Sequence, residues 1–284
     1  MSWIDKTLPE AIAVTYDPST TTGGSVMVTL VLSEPVQTIL DWTMGVDATI
    51  RTKTYANNIT TTVSFVDLVG NANSTGIQIT WIDTDAPSVM SVVYTPSTAT
   101  SGDVEVTITI NKSVRKPSDW SGNLTDTIFT KVYTGNESES FTITDLVGNT
   151  GRVEVQITRI DKLAPEAVTV VYNPSIFTNM DVEVLLTTTE WIWKPIGRSG
   201  SITGTVFTKI YDANVTDTVT FYDHVYNFGS TGIEITWIDK TPVSGSVSYI
   251  PSSATSGDVT ATVSFNKTGV TVTNNGGSTN YIFT

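Results

Sequence analysis

The chain has no cysteine, one histidine and only 15 basic residues against 28 acidic ones. Without cysteine there are no disulfide staples, no thiol nucleophile and no Cys-rich zinc site. With a net charge of −13, the chain lacks the Lys and Arg clusters that nucleic acid or an anionic lipid surface requires. No apolar run approaches the roughly 18–20 residues of a membrane-spanning helix. Met1-Ser2-Trp3 lacks the charged and apolar regions of a signal peptide. Gly23-Gly24 and Gly276-Gly277 read as turns, because no strand–loop–helix context for a phosphate cradle surrounds them.

What the chain does have is a period. Trp3-Ile4-Asp5, Trp81-Ile82-Asp83, Arg159-Ile160-Asp161 and Trp237-Ile238-Asp239 form one landmark recurring every 78 residues. A proline follows each (Pro9, Pro87, Pro165, Pro242), then a Tyr-x-Pro beginning at Tyr16, Tyr94, Tyr172 and Tyr249. Asp67, Asp145 and Asp223 each open an Asp-x-Val-x-Asn. A fixed period of this size marks an array of small similar units. The boundaries read as 1–80, 81–158 and 159–236, with a partial fourth copy at 237–284. A unit this small buries only roughly 60–65% of its unfolded surface, so it gains from a neighbour or an ion.

The residue types are those of strands. Thr, Val, Ile and Ser dominate, and no long 3.6-residue apolar period is present. Val26, Val28, Leu30 and Leu32 alternate with Met27, Thr29 and Val31, which predicts a strand with one buried face. Val104, Val106, Ile108 and Ile110 repeat the pattern, as do Val182, Val184 and Leu186. Pro35 is expected to end the first of these strands. Thr52–Tyr55 and the run through Val63 and Phe65 read as a hairpin turning near Asn58. Trp42 and Trp120 are expected in the core, whereas the third copy places its tryptophans at Trp191 and Trp193. The expectation is an all-β chain of tandem immunoglobulin-like sandwiches in an elongated array, about seven strands each. The short connection Ile82–Ser88, with Pro87 inside it, favours a stiff joint and hence a semi-rigid rod.

Trp-Ile-Asp-Lys-Thr followed by proline, Tyr-x-Pro-Ser, Phe-Thr-Lys-x-Tyr and Asp-x-x-Gly-Asn occur in this order along the whole chain. In that order they resemble the bacterial Ig-like tandem repeats of large cell-surface and adhesin-type proteins. His224 and Tyr226 depart from the third Asp-x-x-Gly-Asn, and Arg159 departs from the landmark tryptophan. The resemblance implies an extracellular or surface-anchored array acting as a stalk or adhesive fibre, with calcium at domain junctions in many related arrays.

Sandwich topology suggests where the acids gather. The turn before the last strand should lie beside the preceding landmark, placing Asp67 near Asp5, Asp145 near Asp83 and Asp223 near Asp161. Asp103, Asp181 and Asp258 recur in the turn facing the following landmark. Asp103, Asp161 and Asp223 could then converge, and Asp83, Asp145, Asp181 and Asp239 complete the candidate Ca²⁺ ligands at the junctions. The alternative is that each aspartate caps its own turn. Ser25 stands where Asp103 and Asp181 do, which weakens the first junction as a calcium site.

No catalytic constellation repeats. His224 replaces Leu68 and Leu146, so it has no counterpart to form a recurring triad. Lys53, Lys131 and Lys209 precede Asn58, Asn136 and Asn214 closely enough to raise an isopeptide bond as a remote option. The expectation is a non-enzymatic structural segment of a longer secreted stalk or adhesin. Its partners would be other repeats or neighbouring subunits. One alternative is a filament subunit whose incomplete last repeat is completed by its neighbour. Another is a module binding a host glycan or protein through loop 190–204, with Trp191 and Trp193 as contacts.

Overall fold

The structure is a computed structural model that describes residues 4–272 and 280–283. Trp3 and the turn read at Gly276-Gly277 lie outside the described residues. The chain separates into two compact units, Met1–Lys162 and Leu163–Thr284. Among the described residues every element is a strand, and no helix is long and apolar enough to cross a membrane.

In the first unit, the first repeat contains β1 (Ala11–Asp17), β2 (Val26–Leu32), β3 (Thr43–Met44), β4 (Ile50–Tyr55), β5 (Ile59–Val66) and β6 (Ala72–Ile79). The second contains β7 (Val89–Thr95), β8 (Val104–Arg115), β9 (Thr125–Tyr133), β10 (Ser138–Thr144) and β11 (Thr150–Gln156). In the second unit, the third repeat contains β12 (Ala167–Asn173), β13 (Val182–Trp193), β14 (Thr203–Tyr211), β15 (Val215–Tyr222) and β16 (Phe228–Ile235). A single sheet of β17 (Gly245–Ile250), β18 (Val259–Phe265) and β19 (Asn280–Phe283) follows.

Each full repeat is a sandwich of two small antiparallel sheets. In the second, β7-β8-β9 faces β10-β11 across a core of Val106, Ile108, Phe129, Ile143 and Val153, all at most 1% exposed. The alternation read in the sequence is what fills it: Val26, Val28 and Leu30 are fully buried, as are Val104, Val106 and Ile108. Each such side chain contributes about 1.5–3 kcal/mol by leaving water.

Two expectations are corrected. The hairpin at Asn58 does not form: β4 pairs with β2, β5 pairs with β6, and residues 56–58 carry the chain between sheets. The reason is that the Asn58 amide is taken by the backbone of Ile82, which anchors the start of β5 to the far end of the repeat. The strand count also differs, with five named strands in the second and third repeats. Pro35 ends β2 early, but its counterparts are Ser113 and Trp191, which have an N–H. There β8 and β13 continue through a register shift, and one long strand does the work of two.

The landmark tryptophans pack on the Tyr-x-Pro rings. Trp81 meets Tyr16 edge-on at 5.2 Å, and Trp237 meets Tyr172 at 5.3 Å. Arg159 preserves this contact by placing its guanidinium 4.4 Å from the Tyr94 ring centroid.

Candidate functional site

The joint between the first and second repeats is a clamp made mostly of backbone. Ile82 bridges Thr22 in parallel, with Thr22 N–H donating to Trp81 C=O (3.1 Å) and Asp83 N–H to Thr22 C=O (2.8 Å). On the other side Asn58 Nδ2 donates to Ile82 C=O (2.9 Å), while Ile82 N–H donates to Asn58 Oδ1 (2.8 Å). Asn136 grips Ile160 and Asn214 grips Ile238 in the same way. These asparagines are therefore committed to the landmark, and Lys131 is committed to Glu139 at 2.7 Å rather than to Asn136.

The turn aspartates are buried and occupied. Asp145 Oδ1 accepts the N–H groups of Val147, Gly148 and Asn149 at 2.8–3.0 Å, and Oδ2 accepts Asn149 Nδ2 at 3.0 Å. Asp67 does the same with Val69, Gly70 and Asn71. Asp223 accepts Val225, Asn227 and the Asn227 amide. Capping of its own turn is thus the first role of each. Burial pushes the Asp67 and Asp145 carboxyls up, but these hydrogen bonds outweigh it and hold both below the ordinary carboxylate range. Asn149 Nδ2 also donates to Asp83 C=O at 2.8 Å, tying the turn to the landmark.

What neutralises the acids differs from repeat to repeat. In the second, Lys112 Nζ sits 2.8 Å from Asp83 Oδ1 and 3.5 Å from Asp145 Oδ2, and it donates to Asp85 C=O at 2.6 Å. Its hydrogen bond with Asp83 raises the lysine pKa despite partial burial. The pairing of Asp83 with Asp145 is as the topology suggested, but a lysine joins them. In the first repeat the same position is Glu34, and Asp5, Glu34 and Asp67 bring carboxylate oxygens within 4.8 Å of one another. Desolvation, then the charges of Asp5 and Asp67, push the Glu34 carboxyl up. Residue 190, 78 positions beyond Lys112, is again glutamate. The fourth copy is one residue shorter before this point and returns to lysine, with Lys267 2.6 Å from Asp239. The Lys267 bond holds the Asp239 carboxyl low.

Asp103 and Asp181 have other partners than those expected. Lys162 Nζ lies 2.7 Å from Asp103, and Lys240 Nζ lies 2.5 Å from Asp181. Asp161 donates its N–H to Thr100 C=O at 2.8 Å. Glu34, Lys112, Lys162, Lys240 and Lys267 were absent from the candidate set. For Lys162 and Lys240 the signal is covariation within the chain: Ser25 occurs with Thr84, but Asp103 occurs with Lys162 and Asp181 with Lys240, at equivalent positions.

The carboxyl shifts set an acid response. Unfolded carboxyls titrate near pH 4. Asp67, Asp145 and Asp239 are depressed when folded, so the folded chain binds fewer protons there. Their stabilisation is present above about pH 4 and is lost as pH falls through the lowered folded values. Glu34 has the opposite sign, its raised value favouring the fold at low pH. Asp47, Asp126, Glu139 and Asp217 are also held low, so the melting temperature should fall between pH 6 and pH 3. A melting temperature that does not move across that range would contradict these assignments.

The third repeat carries a different surface. Trp191 and Trp193 are 61% and 40% exposed on either side of buried Ile192, so neither is core. The Trp193 ring lies 5.4 Å from His224, and Tyr222 packs edge-on against Phe228 at 5.5 Å. Tyr226 is exposed nearby, in the left-handed conformation (φ 68°) that Gly70 and Gly148 provide elsewhere. The second repeat has Ser113, Arg115, Leu146, Gly148 and Thr150 at the positions of Trp191, Trp193, His224, Tyr226 and Phe228. The buried Trp42 and Trp120 have as their counterpart Arg198, which is 6% exposed.

No family model matches the sequence, and no curated protein matches it. Among solved structures, one similar chain comes from work on host cell surface retention of a 1.5-MDa bacterial ice-binding adhesin. The identity is 12%, the match covers 78% of this chain and 96% of that one, and the TM-score is 0.34. At that TM-score nothing is carried from that adhesin to this chain.

Proposed function

We propose that this chain is a non-enzymatic structural segment of a secreted or surface-anchored bacterial stalk or adhesin, in which Ig-like repeats set reach and stiffness. The observation that supports this most is the asparagine clamp, because the same two hydrogen bonds recur at Ile82, Ile160 and Ile238. A fold built only to hold a pocket has no need to repeat its joint. Solution scattering tests the proposal: the intact chain should give an extended profile independent of concentration. A compact profile would overturn it, and concentration-dependent sedimentation would favour the filament alternative.

Within this reading, calcium takes the place of lysine where the joint position is glutamate. Three carboxylates within 4.8 Å offer the hard oxygen donors that Ca²⁺ prefers. A cation at this place is supported by the second repeat, where Lys112 lies between the landmark and turn aspartates. Asp5, Glu34 and Asp67 would hold the ion in the first repeat. Calcium there would link the landmark to the turn, as Lys112 does in the second repeat.

A second reading, a binding module using loop 190–204, is favoured by one observation. The exposed aromatics Trp191, Trp193, Tyr226 and Phe228 occur in one repeat only.

A further inference from the structure

The third repeat has a cavity of about 350 Å³ between the loop after β13 and the strands β14 and β15. Trp193, Lys194, Arg198, Lys209, Asp217 and Tyr222 are among the residues that line it. Its size is at the lower end of the range for small-ligand sites, roughly 300–1,000 Å³.

Its charge runs against that of the chain. Lys194, Arg198 and Lys209 face one carboxylate, Asp217, in a protein of net charge −13. Asp217 is already engaged: it accepts the Tyr211 hydroxyl at 2.9 Å and lies 3.6 Å from Lys209. Arg198 is the unbalanced member. Its Nη2 donates to Tyr211 Oη at 3.3 Å, while its Nη1 is buried with no hydrogen-bond partner. A buried guanidinium is costly unless an anion and further acceptors meet it. The second repeat has no such demand, because Trp120 fills the position and Lys131 is balanced by Glu139.

The shape favours a compact ligand over an added strand. Ser199 exchanges both backbone hydrogen bonds with Thr208 (2.8 and 3.0 Å), and Ile192 bridges Asp223, so the strand edges beside the cavity are partly capped. Trp193 leaves a flat apolar ring partly exposed at the wall, held by His224. A cationic pocket with one aromatic wall suits a ring that carries an acid.

We propose that the third repeat binds a carboxylate-bearing saccharide, with Arg198 and Lys209 receiving the acid and Trp193 stacking on the sugar ring. This rests on the binding-module reading and names its ligand class. The stalk proposal stands apart from it.

Calorimetry on the full chain tests it with glucuronic-acid- and sialic-acid-terminated oligosaccharides, the same sugars with the carboxyl reduced, and an oligoglutamate peptide. The acidic sugars should bind and the reduced ones should not. Arg198→Trp, which installs the residue of the first two repeats, should weaken binding at least tenfold, as should Trp193→Ala. If Arg198→Trp does not fold, Lys209→Gln at a partly exposed position serves instead. Equal binding of reduced sugars would overturn the role of the acid while leaving Trp193 as a contact. Binding of the peptide alone would overturn the saccharide. Binding of none of them would overturn the proposal, and only if Trp193→Ala also left host-cell attachment unchanged would the binding-module reading fall with it.

Discussion

Gly151→Ala is expected to destabilise the second repeat by about 3 kcal/mol, at the upper end of overpacking costs. A Cβ at Gly151 on β11 would lie 1.9 Å from the carbonyl oxygen of Pro87, and backbone cannot move aside as a side chain can. Pro87 sits in the short connection from the landmark to β7, so relief of the clash must shift that connection or β11. Gly229 repeats the arrangement in the third repeat, 2.1 Å from Pro165 C=O. The first repeat resolves it differently, with Asn73 donating its amide to Pro9 C=O at 2.8 Å. Gly76→Ala on β6 is the control, because its Cβ meets nothing within 4 Å. That change should leave stability unaltered or raise it by about 0.5 kcal/mol. Denaturant unfolding followed by hydrogen exchange in β10 and β11 separates the second repeat from its neighbours. Equal effects of the two alanines would show that the connection does not press on β11.

Asp145→Ala should cost about 4 kcal/mol. It strips acceptors from three backbone N–H groups and the Asn149 amide, each worth about 1 kcal/mol net, inside a buried turn. It also removes one of the two carboxylates around Lys112. Asp145→Asn keeps an acceptor for the turn but sets an amide against Lys112, so about half of that loss is expected. Thermal melts of the three proteins check the order. An Asp145→Ala protein that melts with the parent would mean the turn closes without its cap.

Much of this architecture was readable from residue type. Alternation placed Val26, Val28 and Leu30 inward because a strand has period two and one wet face. Period alone could not say which strands pair. The Asn58 hairpin was misread because a turn-forming residue between two apolar runs looks the same whether the chain reverses or crosses to another sheet. What distinguishes them is the Asn58 amide on Ile82, a contact across 24 residues. The aspartates of the joints stood out because they recur unchanged. Their partners, Glu34, Lys112 and Lys267, did not stand out because they change, yet the change of charge is what gives each joint its chemistry. Arg198 was hidden for the same reason. Trp191 and Trp193 stood out as departures from the core tryptophans, but nothing in the sequence said that the core position they left had passed to a buried cation.

The central proposal is that a bound calcium ion beside Glu34 supplies, in the first repeat, the positive charge that Lys112 supplies in the second. Glu34→Lys, which gives the first repeat the residue of the second, tests it most directly when melted in calcium and in chelator. The parent chain should melt higher in calcium, and Glu34→Lys should melt higher than the parent in chelator and bind one fewer calcium ion by calorimetry. A parent chain that melts identically in calcium and chelator, with no heat of calcium binding, would contradict it.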